Sequence, residues 1–237
     1  MIMKNKTSIL IYPFVIMLVC LMLSSACKKD DNTNNNNNTG GTVSDINGNA
    51  YNTVTIGSLV WMVQDLKTTK YCNGDSIPNV IQSSEWSALT TSAYCNYDNQ
   101  VSNGSIYGHL YNYKAVSDSR KLCPAGWHVA TDADWTTLTT LLGGNTIAGG
   151  KLKETGTTHW LAPNTGATDS YGFKALPNGE RRSTASFDYL GEYANWWTAT
   201  EYDASQAWVR YISNTGVDIT RQLYNKGYGY AVRCVKD

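Results

Sequence analysis

The chain has 237 residues, with 19 Lys and Arg against 19 Asp and Glu, so its formal net charge is zero. No Lys/Arg run follows the leader, which removes the clustered cations that a nucleic-acid backbone requires. Sixteen Tyr and eight Trp against three Phe favour half-wet aromatic positions, because Tyr and Trp carry a polar handle; that bias suits a secreted, β-rich protein able to stack rings on sugars.

Lys4 and Lys6 precede an apolar run over 9–23, and Ser24-Ser25-Ala26 then lead to Cys27. This order of charge, apolar run and small residues predicts a secretory signal peptide over 1–26. The run falls short of the roughly 20 apolar residues of a comfortable membrane span. The junction resembles a bacterial lipobox, although Ser24 stands where Leu is usual. The resemblance implies a lipid-modified Cys27, held in the outer-membrane lipid by two or more acyl chains. Lys29, Asp30 and Asp31, directly after it, resemble the surface-export signal of Bacteroidetes lipoproteins, which implies a domain facing the cell exterior. The Asn-, Thr- and Gly-rich remainder of 27–41 is too polar to order itself and is expected to act as a tether. One domain is expected over 42–237.

Within it, Asp45-Ile46-Asn47-Gly48-Asn49 predicts a turn, and alternation from Tyr51 to Ile56 followed by 58–63 predicts a hairpin. Asn73-Gly74-Asp75 predicts another turn, and 84–89 one helical turn carrying Trp86 and Leu89. The clearest helix is 132–142: Thr131 and Asp134 form a capping-box pattern. Trp135, Leu138, Leu141 and Leu142 share a face, and Gly143-Gly144 ends it. From Trp196 onward, strands at 196–202, 207–213, 217–223 and 229–235, separated by turn residues, predict an antiparallel meander closing the domain.

The domain holds four cysteines, Cys72, Cys95, Cys123 and Cys234, which in an exported protein predict two disulfides with three connectivities open. The pairing favoured is Cys123–Cys234 with Cys72–Cys95, because Cys123 and Cys234 lie in the two most motif-like segments. The scattered His109, His128 and His159 and the absence of any Cys-x-x-Cys argue against zinc.

Several segments in order, Gly74-Asp75-Ser76-Ile77-Pro78-Asn79-Val80, Leu122-Cys123-Pro124-Ala125-Gly126-Trp127-His128-Val129, Trp196-Trp197 and Tyr230-Ala231-Val232-Arg233-Cys234-Val235, resemble the Fibrobacter succinogenes major paralogous domain. Thr131-Asp132-Ala133-Asp134-Trp135 and Arg233-Cys234-Val235 resemble parts of the formylglycine-generating sulfatase-modifying fold. Cys123 to Trp127 resembles the Cys-Pro-x-Gly-Trp entry of C-type lectin-like domains. The resemblance implies an α+β, C-type lectin-like architecture, with helices packed on a twisted antiparallel sheet and long irregular loops. Function does not travel with fold.

The copper-binding cysteine pair of the formylglycine-generating enzymes has no counterpart, since Cys234 stands alone in its region. Neither calcium-binding tripeptide of the lectins occurs, so no metal or cofactor is expected; the oxygen-bearing Asp98, Asn99, Glu201 and Asp203 leave calcium as an open alternative. No paired carboxylates and no Gly-x-Ser-x-Gly elbow suggest hydrolysis, and an enzyme is not expected. What remains is recognition by aromatic surface. Trp196 and Trp197 must point to opposite sides of a strand. Trp197, Tyr193, Tyr224 and Tyr228 are the candidate ligand-binding residues of a non-catalytic, surface-exposed module that binds extracellular glycan. The alternative is an adhesive or structural surface protein recognising a protein partner.

Overall fold

The computed structural model describes residues 40–237. The signal peptide, Cys27 and the Lys29, Asp30 and Asp31 signal lie outside the described residues. In chain order the strands and helices are β1 (Thr42–Ser44), β2 (Ala50–Ile56), β3 (Leu59–Met62), α1 (Ser83–Ser87), β4 (Tyr94–Cys95), α2 (Val101–Tyr107), β5 (Leu110–Asn112), α3 (Tyr113–Val116), β6 (Trp127–Val129), α4 (Asp132–Leu141), α5 (Asn145–Leu152), β7 (Asn178–Arg181), β8 (Phe187–Leu190), β9 (Tyr193–Glu201), β10 (Gln206–Ser213), β11 (Thr220–Asn225), β12 (Gly229–Tyr230) and β13 (Cys234–Lys236).

The fold is α+β, with the strands divided among three small sheets instead of gathered in one. Their orders are β1-β2-β3-β13-β6, β11-β10-β9 and β4-β5-β12-β7-β8, and every named pair is antiparallel.

The expected hairpin forms as β2 and β3, with Ile56 opposite Leu59. Its tight turn needs Gly57, whose φ is +65°, a region that costs a side chain strain. A Cβ there would also come within 2.8 Å of Leu141 Cδ2. That contact explains why Leu141 departs from expectation: it lies half outside the buried face of α4, lidding the hairpin turn, while Trp135, Leu138 and Leu142 enter the core. Both halves of the capping box are present, Thr131 Oγ1 accepting from Asp134 N and Asp134 Oδ2 accepting from Thr131 N.

The predicted four-strand meander closes only in part. β9, β10 and β11 form a sheet as expected, but 229–235 does not continue it as a fourth antiparallel strand and touches it only through a single parallel bridge of Ala231 to Trp196. Gly229 and Tyr230 pair with β5 and β7, and Cys234 to Lys236 insert between β3 and β6. Arg233 explains the break. Its guanidinium is buried, donating to Asp65 Oδ1 at 2.7 Å and to the carbonyls of Met62, Val63 and Phe173. Asp65 in turn accepts from Trp196 Nε1 at 2.8 Å and Asn178 Nδ2 at 2.9 Å. One buried ion pair thereby joins elements of all three sheets. Such a pair holds only because its remaining donors and acceptors are satisfied.

Cys123 and Cys234 are disulfide-bonded, as expected, across a sequence separation of 111. The second expected bridge is corrected. Cys95 carries a free, buried thiol in β4, and Cys72 is disulfide-bonded but not to Cys95. Cys95 points into a closed apolar cluster with Trp86, Tyr97 and Leu110, whereas Cys72 lies half-buried in the loop after Tyr71.

Candidate functional site

The three-stranded sheet positions the candidate aromatics. Paired residues of antiparallel strands share a face, and the register places Tyr193, Asn195 and Trp197 of β9, Ala207, Val209 and Tyr211 of β10, and Gln222 and Tyr224 of β11 on one side. One end of this face is sealed: Trp197, Ala207 and Val209 are 0% exposed. The other end stays open and presents half-buried Tyr193 and Tyr211.

Trp197 is therefore not an exposed platform residue, and its assignment as a ligand contact is corrected. Tyr113 and Tyr230 clamp its ring edge to face at 5.1 and 5.0 Å, and its indole N–H donates to the Tyr111 carbonyl at 2.9 Å. Trp196 points to the opposite side, as strand geometry demands, and is equally buried because α4 covers that side. Its ring lies 5.1 Å from Trp135. Both sides of β9 are thus core, a circumstance the Trp-Trp pair alone does not reveal.

Tyr193, Tyr224 and Tyr228 are half-exposed, and the structure adds neighbours to them. Tyr189, Tyr193 and Tyr211 form a continuous run, with centroids 5.0 and 5.7 Å apart. Tyr224 and Tyr228 stand 5.5 Å apart over the buried ring of Tyr230. Tyr211 Oη donates to Gln222 Oε1 at 3.4 Å. Tyr189 reaches its place through a backbone φ of +68°, a left-handed conformation that a bulky aromatic rarely accepts and that concentrates at functional positions. The turn that follows supports it, Glu192 N donating to Tyr189 O at 3.0 Å.

Charge enters from the β7–β8 hairpin, where Glu180 lies opposite Asp188. Arg182 sits between them, its Nε 2.9 Å from Asp188 Oδ2 and 3.5 Å from Glu180 Oε1, and its Nη2 donates to Tyr189 Oη at 3.2 Å. Burial holds the Glu180 carboxyl above its ordinary range, and burial likewise pushes the Tyr224 phenol up to about 12. At neutral pH the phenol thus stays an O–H donor. The assembled surface offers flat ring faces, phenolic O–H groups, a carboxamide, the Asp188 carboxylate and a guanidinium, a set able to stack on and hydrogen-bond a hydroxylated ring, while Glu180, 5% exposed, lies beneath it.

The residues that sequence reading passed over are Tyr211, Gln222 and Arg182, whereas Glu180 is a carboxylate whose pairing the sequence does not reveal. The signal for Tyr211 was its two-residue spacing from Val209, which only the strand register turns into a shared face with Tyr193. Of the oxygen ligands considered for calcium, Glu201 pairs with Lys226, and Asp203 Oδ1 accepts from Ser205 N and Gln206 N. Among the described residues no group of three or more His, Cys, Asp or Glu side chains converges as a metal site.

No curated protein and no solved structure matches the chain. Residues 54–236, which run from within β2 to the end of β13 and include the Arg233 and Cys234 closure, match the model of the Fibrobacter succinogenes major domain. That match takes in most of the chain, which belongs to the Fibrobacter succinogenes major domain family.

Proposed function

We propose that this is a surface-exposed lipoprotein, anchored in the outer membrane through Cys27, whose domain has a C-type lectin-like fold and binds extracellular glycan without catalysis. The observation that carries the reading is the run Tyr189, Tyr193 and Tyr211 beside Arg182, Glu180 and Asp188. Tyrosine faces bury the C–H side of a pyranose while the neighbouring polar groups take its hydroxyls. The carboxylates nearest the rings are both engaged by Arg182, which suits binding better than proton transfer. The capped α4, the Cys123–Cys234 bridge and the closing β13 support the lectin-like reading of the fold.

The full chain, probed on a broad glycan array with and without calcium, is expected to bind a defined set of sugars, and Tyr211→Ala to lose them while keeping its melting temperature. Binding of no glycan under either condition overturns the reading and leaves protein adhesion in its place. Palmitate labelling that persists in Cys27→Ala overturns the anchor.

A further inference from the structure

Each of the three sheets ends in two outer strands, and most of these are stubs. β1 and β6 have 3 residues each, β4 has 2 and β8 has 4, all below the common strand length. β9 has 9 residues, but its outer side is taken: Trp197 N donates to Ala231 O, Ala199 N to Ala130 O and Asn195 N to Asn178 Oδ1. That leaves β11, 6 residues long, in unbroken register with β10 from Thr220 opposite Tyr211 to Asn225 opposite Gln206. Along an antiparallel strand every second residue turns its N–H and C=O away from its neighbour. Among the described residues nothing outside β10 bonds the backbone of Thr220 to Tyr224. Proteins commonly blunt such an edge with Pro, Lys or a bulge, and β11 has none of the three.

The face of β11 turned away from the tyrosines carries charge beside apolar surface. Arg221 lies opposite Arg210 and Leu223 opposite Trp208, so these four share a face. Asp132 answers both guanidinia, with Arg210 Nη2 at 2.7 Å and Arg221 Nε at 2.8 Å, and neither Arg has a second carboxylate among the described residues. One carboxylate against two guanidinia leaves surplus positive charge. Arg210 is buried, so Arg221, with its side chain 38% exposed, presents that surplus. Its guanidinium stands over the Trp208 ring at 3.2 Å and is tied at Nε, which fixes the fork, while Nη1 and Nη2 bond nothing among the described residues. Trp208 and Leu223 are half-exposed and belong to none of the buried apolar clusters.

We infer that β11 takes an added strand: an extended segment of a partner protein that bonds the open backbone edge, sets a carboxylate opposite Arg221 and lays an apolar side chain two residues away beside Leu223 and Trp208. In strand addition the backbone bonds supply affinity and the alternate side chains specificity. A fixed Arg fork with both Nη groups free matches a carboxylate in bidentate form, and a cationic side chain opposite it is repelled. A second copy of β11 brings no acid, since its residues are Thr, Arg, Gln, Leu, Tyr and Asn, so the surplus charge favours a different chain. The inference does not rest on glycan binding, because Trp208, Arg221 and Leu223 lie on the face opposite the tyrosines.

The test titrates the ¹⁵N-labelled full chain with acetylated, amidated octapeptides Ser-Val-Thr-X-Thr-Val-Thr-Ser, in which X is Glu, Gln or Lys, to about 10 mM, beyond a millimolar Kd. A valine two residues to either side of X lets the strand add in either direction. The Glu peptide is expected to bind saturably, about threefold to fivefold tighter than the Gln peptide, with the Lys peptide weaker again. It is also expected to slow hydrogen exchange at alternate amides of β11. Arg221→Gln is expected to make the Glu and Gln peptides equal; should that variant melt early, the three peptides compared on the unaltered chain decide the matter. The inference is overturned if the Glu peptide does not bind, if it binds no tighter than the Lys peptide, or if the bound peptide leaves the β11 amides exchanging freely. Alternate β11 amides already protected in the free chain, and more so at higher protein concentration, would show a second copy on the edge and would overturn it too.

Discussion

Truncating Trp197 and truncating Tyr193 should have opposite consequences, although the two residues share one strand and one face. The Trp197 ring is wholly buried, clamped by Tyr113 and Tyr230 and bonded to the Tyr111 carbonyl. Replacing a buried Trp by Ala costs about 3–5 kcal/mol. At about 2–4 °C per kcal/mol for a domain of this size, Trp197→Ala should melt about 6–20 °C below the parent. Tyr193 is half-exposed and touches Tyr189 and Tyr211 at its edges, so Tyr193→Ala should cost about 1 kcal/mol and a few degrees at most. Its cost falls on glycan binding instead. Far-UV circular dichroism melts of both variants, followed by array binding at a temperature where both are folded, separate the two roles. A Trp197→Ala protein that melts within a few degrees of the parent refutes the two-sided burial of β9. A Tyr193→Ala protein that melts as early as Trp197→Ala refutes the open platform.

Three further outcomes are expected. The Cys123–Cys234 bridge closes a loop across 111 residues, so the double Ser variant should lose up to about 4–5 kcal/mol in urea titration by the loop-entropy argument; native alkylation should also spare Cys95, whose thiol burial pushes up to about 12, and rapid native labelling of Cys95 would contradict its place in the core. His128 bonds Asp134 at 3.1 Å and Asp237 at 2.7 Å, and the hydrogen bond to Asp134, aided by that to Asp237, raises its pKa above the ordinary 6.5. Its contribution is therefore fully present below about pH 6.5 and lost as pH rises through the higher folded value. Melting temperatures across that range should fall more steeply for the parent than for His128→Gln, and parallel profiles would refute the pairing.

What could be read from sequence was local. The Thr131 and Asp134 cap, the glycines ending α4 and the hairpin turn at Gly57 are decided by neighbours a few residues away, and they form as expected. The failures all depend on distant partners. Trp197 is taken as surface because a Trp-Trp pair on a strand implies two faces, and only the folded chain shows Tyr113 and Tyr230 covering the second. The four-strand meander fails at Arg233, whose carboxylate partner Asp65 has no local mark of its role. Arg221 becomes notable only when the strand register sets it beside Trp208 on an uncovered edge. Tyr193, Tyr224 and Tyr228 were accessible to sequence reasoning because Tyr tolerates a half-wet position, but their company with Tyr211 and Arg182 required the strand register.

The insertion of β13 between β3 and β6 also dictates an order of events. Val235 pairs with both Trp61 and His128, so the first sheet keeps an open slot until residues 234–236 have been made. Pairings between such remote segments are slow to find. Removing β13 would leave the edges of β3 and β6 unpaired and facing each other across a gap. The disulfide can form only once Cys234 has arrived, and it ties β13 to the segment just before β6 that it pairs with.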